Sequence, residues 1–211
     1  MKNYIYEILN VFITLLIASL SFSGVAGGIG SDKFLLLYGD KAYELKEFKS
    51  GIINGVDTRY RYSLSKYMDK ILILSARHKI DPVLVVSTIW VESTFDNKAV
   101  SKKGAIGLMQ VMPKTNKWVF GSILKKDPSS ILTEEERNLE AGIAYLAHLK
   151  KIVGNNKERV MIAYNMGPKY VLDRSKLKFN HDYYKKISKK FDQISQNLKS
   201  KGTRIDRLAL N

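Results

Sequence analysis

The chain has 211 residues, 45% of them hydrophobic and 26% charged, with 14 Gly and 4 Pro. That composition belongs to one globular domain with room for a short appendage; it excludes a disordered chain, a collagen-like repeat and a polytopic membrane protein. Cys is absent, which removes disulfide scaffolds, Cys nucleophiles, Cys-ligated zinc and iron–sulfur clusters together. The net charge of +15 is lopsided, with 16 basic and 5 acidic side chains in residues 150–211. Such an excess suits a polyanionic partner (nucleic acid, anionic lipid or an acidic wall polymer) and equally suits a solvated Lys-rich helix face.

No charged residue lies between Glu7 and Asp32, and Ile8–Leu20 is an apolar stretch followed by Ser21, Ser23, Gly24, Ala26, Gly27 and Gly28. Residues 1–28 therefore read as a secretory signal peptide or as an uncleaved membrane anchor. Either reading sends the chain to the periplasm or cell envelope, with membrane association through the N-terminus in the second case. Residues 31–61 mix short apolar and polar pieces and form an accessory segment. From Arg61 onward the pattern is helical. Tyr67, Ile71, Leu74 and His78 predict a helix from about Ser65 to His78. Asp81-Pro82 is an N-cap followed by proline at the first helical position, opening a helix that is apolar nearly all round to Ser93. Gly104 and Gly107 bracket an irregular stretch, after which Met109–Trp118 begins another helix. Thr133 with Glu136 is a capping box for a helix to about Ile152. Arg159–Asn165 is a short helix stopped by Gly167-Pro168, and Tyr183–Leu198 a last basic amphipathic helix. Residues 191–211 form a basic tail. The fold class is all-α.

Glu92 is the residue that asks for an explanation. It sits at the end of the most apolar helix, after Ile89, Trp90 and Val91. Apolar surroundings and the helix C-terminus both disfavour its charged form and keep a proton on it, which is what a general acid on a glycosidic oxygen requires. The plain alternative is a helix-end carboxylate in water.

Three further stretches decide between them: Ala99-Val100-Ser101, Gly104 through Gln110, and Ala163-Tyr164-Asn165-Met166-Gly167. In order with Trp90-Val91-Glu92-Ser93 they strongly resemble the catalytic domain of the bacterial soluble lytic transglycosylases, family 1. Weaker matches are Ile80-Asp81-Pro82, Asn138-Leu139 with Gly142 and Tyr145-Leu146, and Tyr183 to Ile187. The resemblance covers roughly Tyr67 to Ile187. It implies a single lysozyme-like catalytic domain over residues 62–190 that cleaves the β-1,4 bond between N-acetylmuramic acid and N-acetylglucosamine without water, leaving 1,6-anhydro ends. It implies Glu92 as the catalytic acid and base, with Ser101 and Tyr164 hydrogen-bonding and orienting its carboxyl. It implies Gly107, Met109, Gln110, Tyr145 and Asn165 as substrate contacts, Met109 in an apolar groove wall.

An ordinary glycosidase needs two carboxylates. The sequence offers Asp96 nearby, which has the character of a loop or cap residue, and distant acids such as Glu140. No metal or other cofactor is implied: His78, His148 and His181 share no ligand spacing, and no phosphate-binding loop occurs. Peptidoglycan is the expected partner, with service to a secretion, conjugation or pilus machine; nucleic acid is not expected, since it fits the export signal poorly. Two rivals stay open at this stage, a hydrolytic goose-type-lysozyme-like muramidase and a non-catalytic basic wall-binding protein.

Overall fold

The structure is a computed structural model and describes residues 35–38, 41–127, 132–173, 182–200 and 203–204. The apolar stretch of residues 8–20 and the chain after 204 lie outside the described residues. Among the described residues no helix is long and apolar enough to cross a membrane. The elements are β1 (Leu35–Tyr38), β2 (Lys41–Glu44), α1 (Leu45–Gly55), α2 (Thr58–His78), α3 (Pro82–Ser93), α4 (Pro113–Trp118), a π-helical turn (Val119–Leu124), α5 (Glu134–Val153), α6 (Lys157–Met166), α7 (Pro168–Leu172), α8 (Asp182–Lys199) and β3 (Thr203–Arg204). They divide into two compact units, residues 1–68 with 193–211, and residues 69–192.

The first unit carries the described strands. β1 and β2 pair antiparallel with Leu35 opposite Glu44 and Tyr38 opposite Lys41, and β3 adds to β2 with Ala42 opposite Thr203. The sequence predicted no strands here, only an accessory segment, so the small sheet and α1 are additions to the expected all-α class. α1 lies against the last turns of α8. A Cβ on Gly51 would stand 2.7 Å from Leu198 Cδ2, and one on Gly55 would stand 2.8 Å from Ile194 Cα, so the glycines are what lets the backbones approach. Asn197 and Gln193 then donate to the carbonyls of Gly51 and Gly55 at 2.6 and 2.9 Å. Arg61 closes the end of α1 by donating to the Val56 and Asn54 carbonyls. The expected tail boundary at residue 191 thus falls inside α8, whose Ile194 and Leu198 are buried.

The second unit is helical. α3 starts and stops where the sequence predicts: Asp81 Oδ1 accepts from the Val83 amide at 2.8 Å, and Pro82 fills the first helical position. Val83, Val85, Val86 and Ile89 are all fully buried, as an all-round apolar helix demands. Leu139, Ile143, Leu146 and Leu149 of α5 and Met161 to Ala163 of α6 are likewise in the core. Thr133 and Glu136 make the reciprocal capping box at the start of α5. α2 begins seven residues earlier than expected, at Thr58, while α4 waits until Pro113 because residues 107–110 form a turn instead of a first helical turn.

Candidate active site

The end of α3 is an unusual turn. Thr94 and Phe95, which follow Glu92 and Ser93, both take positive φ, 52° and 66°. Each such non-glycine residue costs on the order of 1 kcal/mol, so the surroundings must hold them. Phe95 is buried against Trp90, ring centroids 6.2 Å apart. Ser93 Oγ donates to the Leu108 carbonyl at 2.8 Å, which fastens the loop of residues 99–111 beside the end of α3.

Side chains hold that loop at the carbonyls of Ala99, Ile106, Gly107, Leu108 and Met109. Ile106 and Val111 exchange backbone hydrogen bonds, and the Gly107 amide donates to Ala99. Asn138 of α5 clasps it from below, its Oδ1 accepting from the Met109 amide and its Nδ2 donating to the Ile106 carbonyl, both at 2.8 Å. Gly107 has φ of 75°, and a Cβ there would sit 2.7 Å from the Asn138 side chain; glycine serves both the turn and the clasp. Tyr164 of α6 donates to the Met109 carbonyl at 2.8 Å.

Glu92 itself, half-buried, accepts one hydrogen bond, from the hydroxyl of Tyr183 on α8 at 2.5 Å. It makes no ion pair among the described residues. Burial holds its carboxyl above the usual carboxylate range, with the Tyr183 bond pulling more weakly toward the charged form. Burial and the Glu92 charge push the Tyr164 and Tyr183 phenols well above their ordinary value, so both remain donors. Beyond Tyr164 runs a row of rings: Tyr145 at 5.6 Å, then Trp118 edge-on to Tyr145 at 6.3 Å and to His148 at 5.0 Å.

Several expected roles change. Ser101 and Tyr164 were expected on the carboxyl. Ser101 instead accepts from the Ala105 amide at 3.0 Å, closing its own tight turn, and Tyr164 spends its proton on the loop backbone. The carboxyl's partner is Tyr183, which the sequence marked only within a weak match. Met109 was expected in a groove wall, but it is fully buried: a Cβ on Gly142 would lie 2.5 Å from its sulfur. Gln110, at φ of 48°, gives its amide hydrogens to the Ala99 and Gly107 carbonyls, each at 3.0 Å. Asn165 is exposed, and Tyr145 is half-buried within the ring row. Asp96 accepts from the Lys98 amide at 2.9 Å in a surface turn. Glu140 is buried elsewhere, 2.8 Å from Lys126 Nζ and 3.3 Å from an Arg77 nitrogen. Among the described residues no three His, Asp or Glu side chains gather as metal ligands.

The second unit is thus helical and presents the Glu92 carboxyl beside a braced loop. The family described as the transglycosylase SLT domain matches residues 70–187, more than half of the chain, and the chain belongs to that family. It is similar to the membrane-bound lytic murein transglycosylase C of Edwardsiella ictaluri (strain 93-146), 40% identical over 117 residues that make up 51% of this chain and 33% of that protein. The match therefore spans a third of the relative's length. The crystal structure of an inactive mutant of the lytic transglycosylase Slt from Pseudomonas aeruginosa is also similar, with a TM-score of 0.46 and 24% identity over 61% of this chain and 22% of that one.

Proposed function

We propose that the chain is a peptidoglycan lytic transglycosylase of the cell envelope, with Glu92 as its single acid and base. The observation that carries this reading is the setting of Glu92: half-buried, without an ion pair among the described residues, and hydrogen-bonded by a phenol. Its carboxyl donates a proton to the oxygen joining N-acetylmuramic acid to N-acetylglucosamine, and the bond from C1 to that oxygen breaks. The N-acetyl oxygen of the muramic acid stabilises the cation left at C1. The Glu92 carboxylate then takes the proton of the C6 hydroxyl, and O6 closes on C1 as a 1,6-anhydro ring. No water is consumed, and Glu92 ends protonated as it began. A group that gives and recovers a proton works best when its pKa lies near the working pH, and burial moves Glu92 in that direction.

Tyr183 steadies the carboxyl, and Tyr164, Asn138, Ser93 and Gln110 hold the loop beside it. Asn165, exposed on α6, and Tyr145 are proposed glycan contacts, whereas Gly107 and Met109 support the loop from within. The ion pairs of Glu140 favour the one-carboxyl scheme over two-carboxylate hydrolysis. Residues 1–28 as leader or anchor fit an envelope location. Recruitment by a secretion, conjugation or pilus machine rests on the resemblance alone.

Digestion of purified sacculi with the full chain tests this, with mass spectrometry of the released fragments. The expected products end in 1,6-anhydro-N-acetylmuramic acid. Reducing-end muramic acid as the main product makes the chain a muramidase, and no release at all makes it a binding protein.

A further inference from the structure

Trp118 has no part in the proton chemistry, yet it is an exposed indole set in a rigid frame. It is 40% exposed at the end of α4, and among the described residues of the second unit it is the one aromatic ring among the well-exposed large apolar side chains. A lone surface hydrophobe needs no explanation. Trp118 is not lone: Tyr145 and His148 meet it edge-on at interplanar angles of 89° and 74°, which fixes the ring. Tyr145 leads on to Tyr164, whose hydroxyl donates to the Met109 carbonyl of the loop beside Glu92. The row therefore runs from a ring braced on that loop to the exposed indole in steps of 5.6 and 6.3 Å, about as wide as a sugar ring. A fixed flat apolar surface loses little entropy when it binds, and the C–H face of a pyranose is the natural ligand for one. One helical turn before Trp118, on the same side of α4, stands exposed Lys114, which has no ion-pair partner among the described residues.

We propose that Trp118 and Lys114 form a glycan subsite at the outer end of the ring row, the indole stacking on an N-acetylhexosamine and the ammonium meeting a carboxylate of the attached stem peptide. The subsite rests on the transglycosylase reading and adds to it a preference for strands that still carry peptides. Trp118 selects for strand length, and Lys114 for the peptide.

Binding is measured on the full chain carrying Glu92→Gln, so that no turnover intervenes. The chain has two tryptophans, and Trp90 is only 3% exposed, so quenching by acrylamide reports on Trp118. An N-acetylglucosamine hexamer is expected to shield Trp118 from acrylamide. Trp118→Leu is expected to weaken hexamer binding roughly tenfold, and Trp118→Tyr to restore most of it, as loss and return of an aromatic contact would. Lys114→Gln is expected to leave the hexamer unaffected and to weaken peptide-bearing glycan about threefold, the scale of an exposed ion pair. Unshielded Trp118, or wild-type hexamer affinity in Trp118→Leu, overturns the indole's role. Should Trp118→Leu fail to fold, a Trp118→Tyr variant that binds no better than an unfolded control does the same. Equal weakening of both ligands by Lys114→Gln overturns the peptide contact. Shielding of Trp118 in a protein whose unsubstituted form releases no anhydro ends retires the catalytic reading and leaves the subsite; anhydro ends without shielding do the reverse.

Discussion

Two carboxyls, Glu92 half-buried at the end of α3 and Glu140 buried within α5, have opposite surroundings. Glu140 is only 3% exposed, and Arg77 and Lys126 both reach it, so its negative charge has counter-ions on the spot. Glu92 is less buried, accepts a hydrogen bond from a phenol and makes no ion pair among the described residues. The difference teaches that burial alone does not make a catalytic acid. What matters is burial without a cation, because only then is the proton retained and available to a substrate oxygen.

Glu92→Gln breaks the comparison most severely. Turnover on sacculi should fall by at least the ~10²–10⁴ typical of lost acid–base catalysis. Stability carries a sign as well. Burial raises the carboxyl's pKa in the folded state, so the fold loses stability as pH climbs from the ordinary carboxylate range through the raised value. The amide escapes that loss. Melting curves should show the variant gaining on the wild type from acid to neutral pH, and a gap that shrinks instead would contradict the assignment.

Tyr183→Phe sharpens the comparison from the other side. The lost bond favoured the charged carboxylate, so the carboxyl should hold its proton to still higher pH. The alkaline limb of the kcat/KM profile should move up, with kcat about tenfold lower because a charge-assisted hydrogen bond is gone. A limb that stays in place would remove Tyr183 from the proton's environment.

Glu140→Gln should act on stability alone. Arg77 and Lys126 are 39% and 46% exposed, so the loss should be about 1–2 kcal/mol by denaturant titration, below the 3–5 expected for a wholly buried pair. Product masses should be those of the wild type; reducing-end sugars appearing or vanishing would mean Glu140 serves the reaction. Smallest is Tyr164→Phe, which leaves the Met109 carbonyl without its donor and should cost about 1 kcal/mol, with a rate loss traceable to the loop and no change in the pH limbs.

The sequence made α3 and α5 plain because their signals are local: Asp81-Pro82 before an apolar run, and Thr133 with Glu136. Glu92 stood out for the same reason, a charge at the end of an apolar helix. Tyr183 did not, because its partner lies 91 residues away and nothing in either segment names the other. Met109 passed for a groove residue since its motif lies beside the site. The contrary signal was Gly142 on another helix, whose missing Cβ makes the Met109 pocket. Ser101 was assigned to the carboxyl by resemblance, while the turn it closes with Ala105 is a short-range hydrogen bond that serine makes readily. The sheet of the first unit was hidden because Leu35–Leu37 is continuously apolar and shows no alternation, leaving only Gly39-Asp40 as a turn signal.

The central claim is that Glu92 keeps its proton because it is half-buried with no counter-charge among the described residues. Carbon-13 NMR of the full chain labelled at glutamate carboxyls, with Glu92→Gln identifying the resonance by its absence, measures this directly. The Glu92 carboxyl should titrate above the ordinary carboxylate range, and higher again in Tyr183→Phe. A resonance that titrates within the ordinary range, unmoved by Tyr183→Phe, would contradict the account.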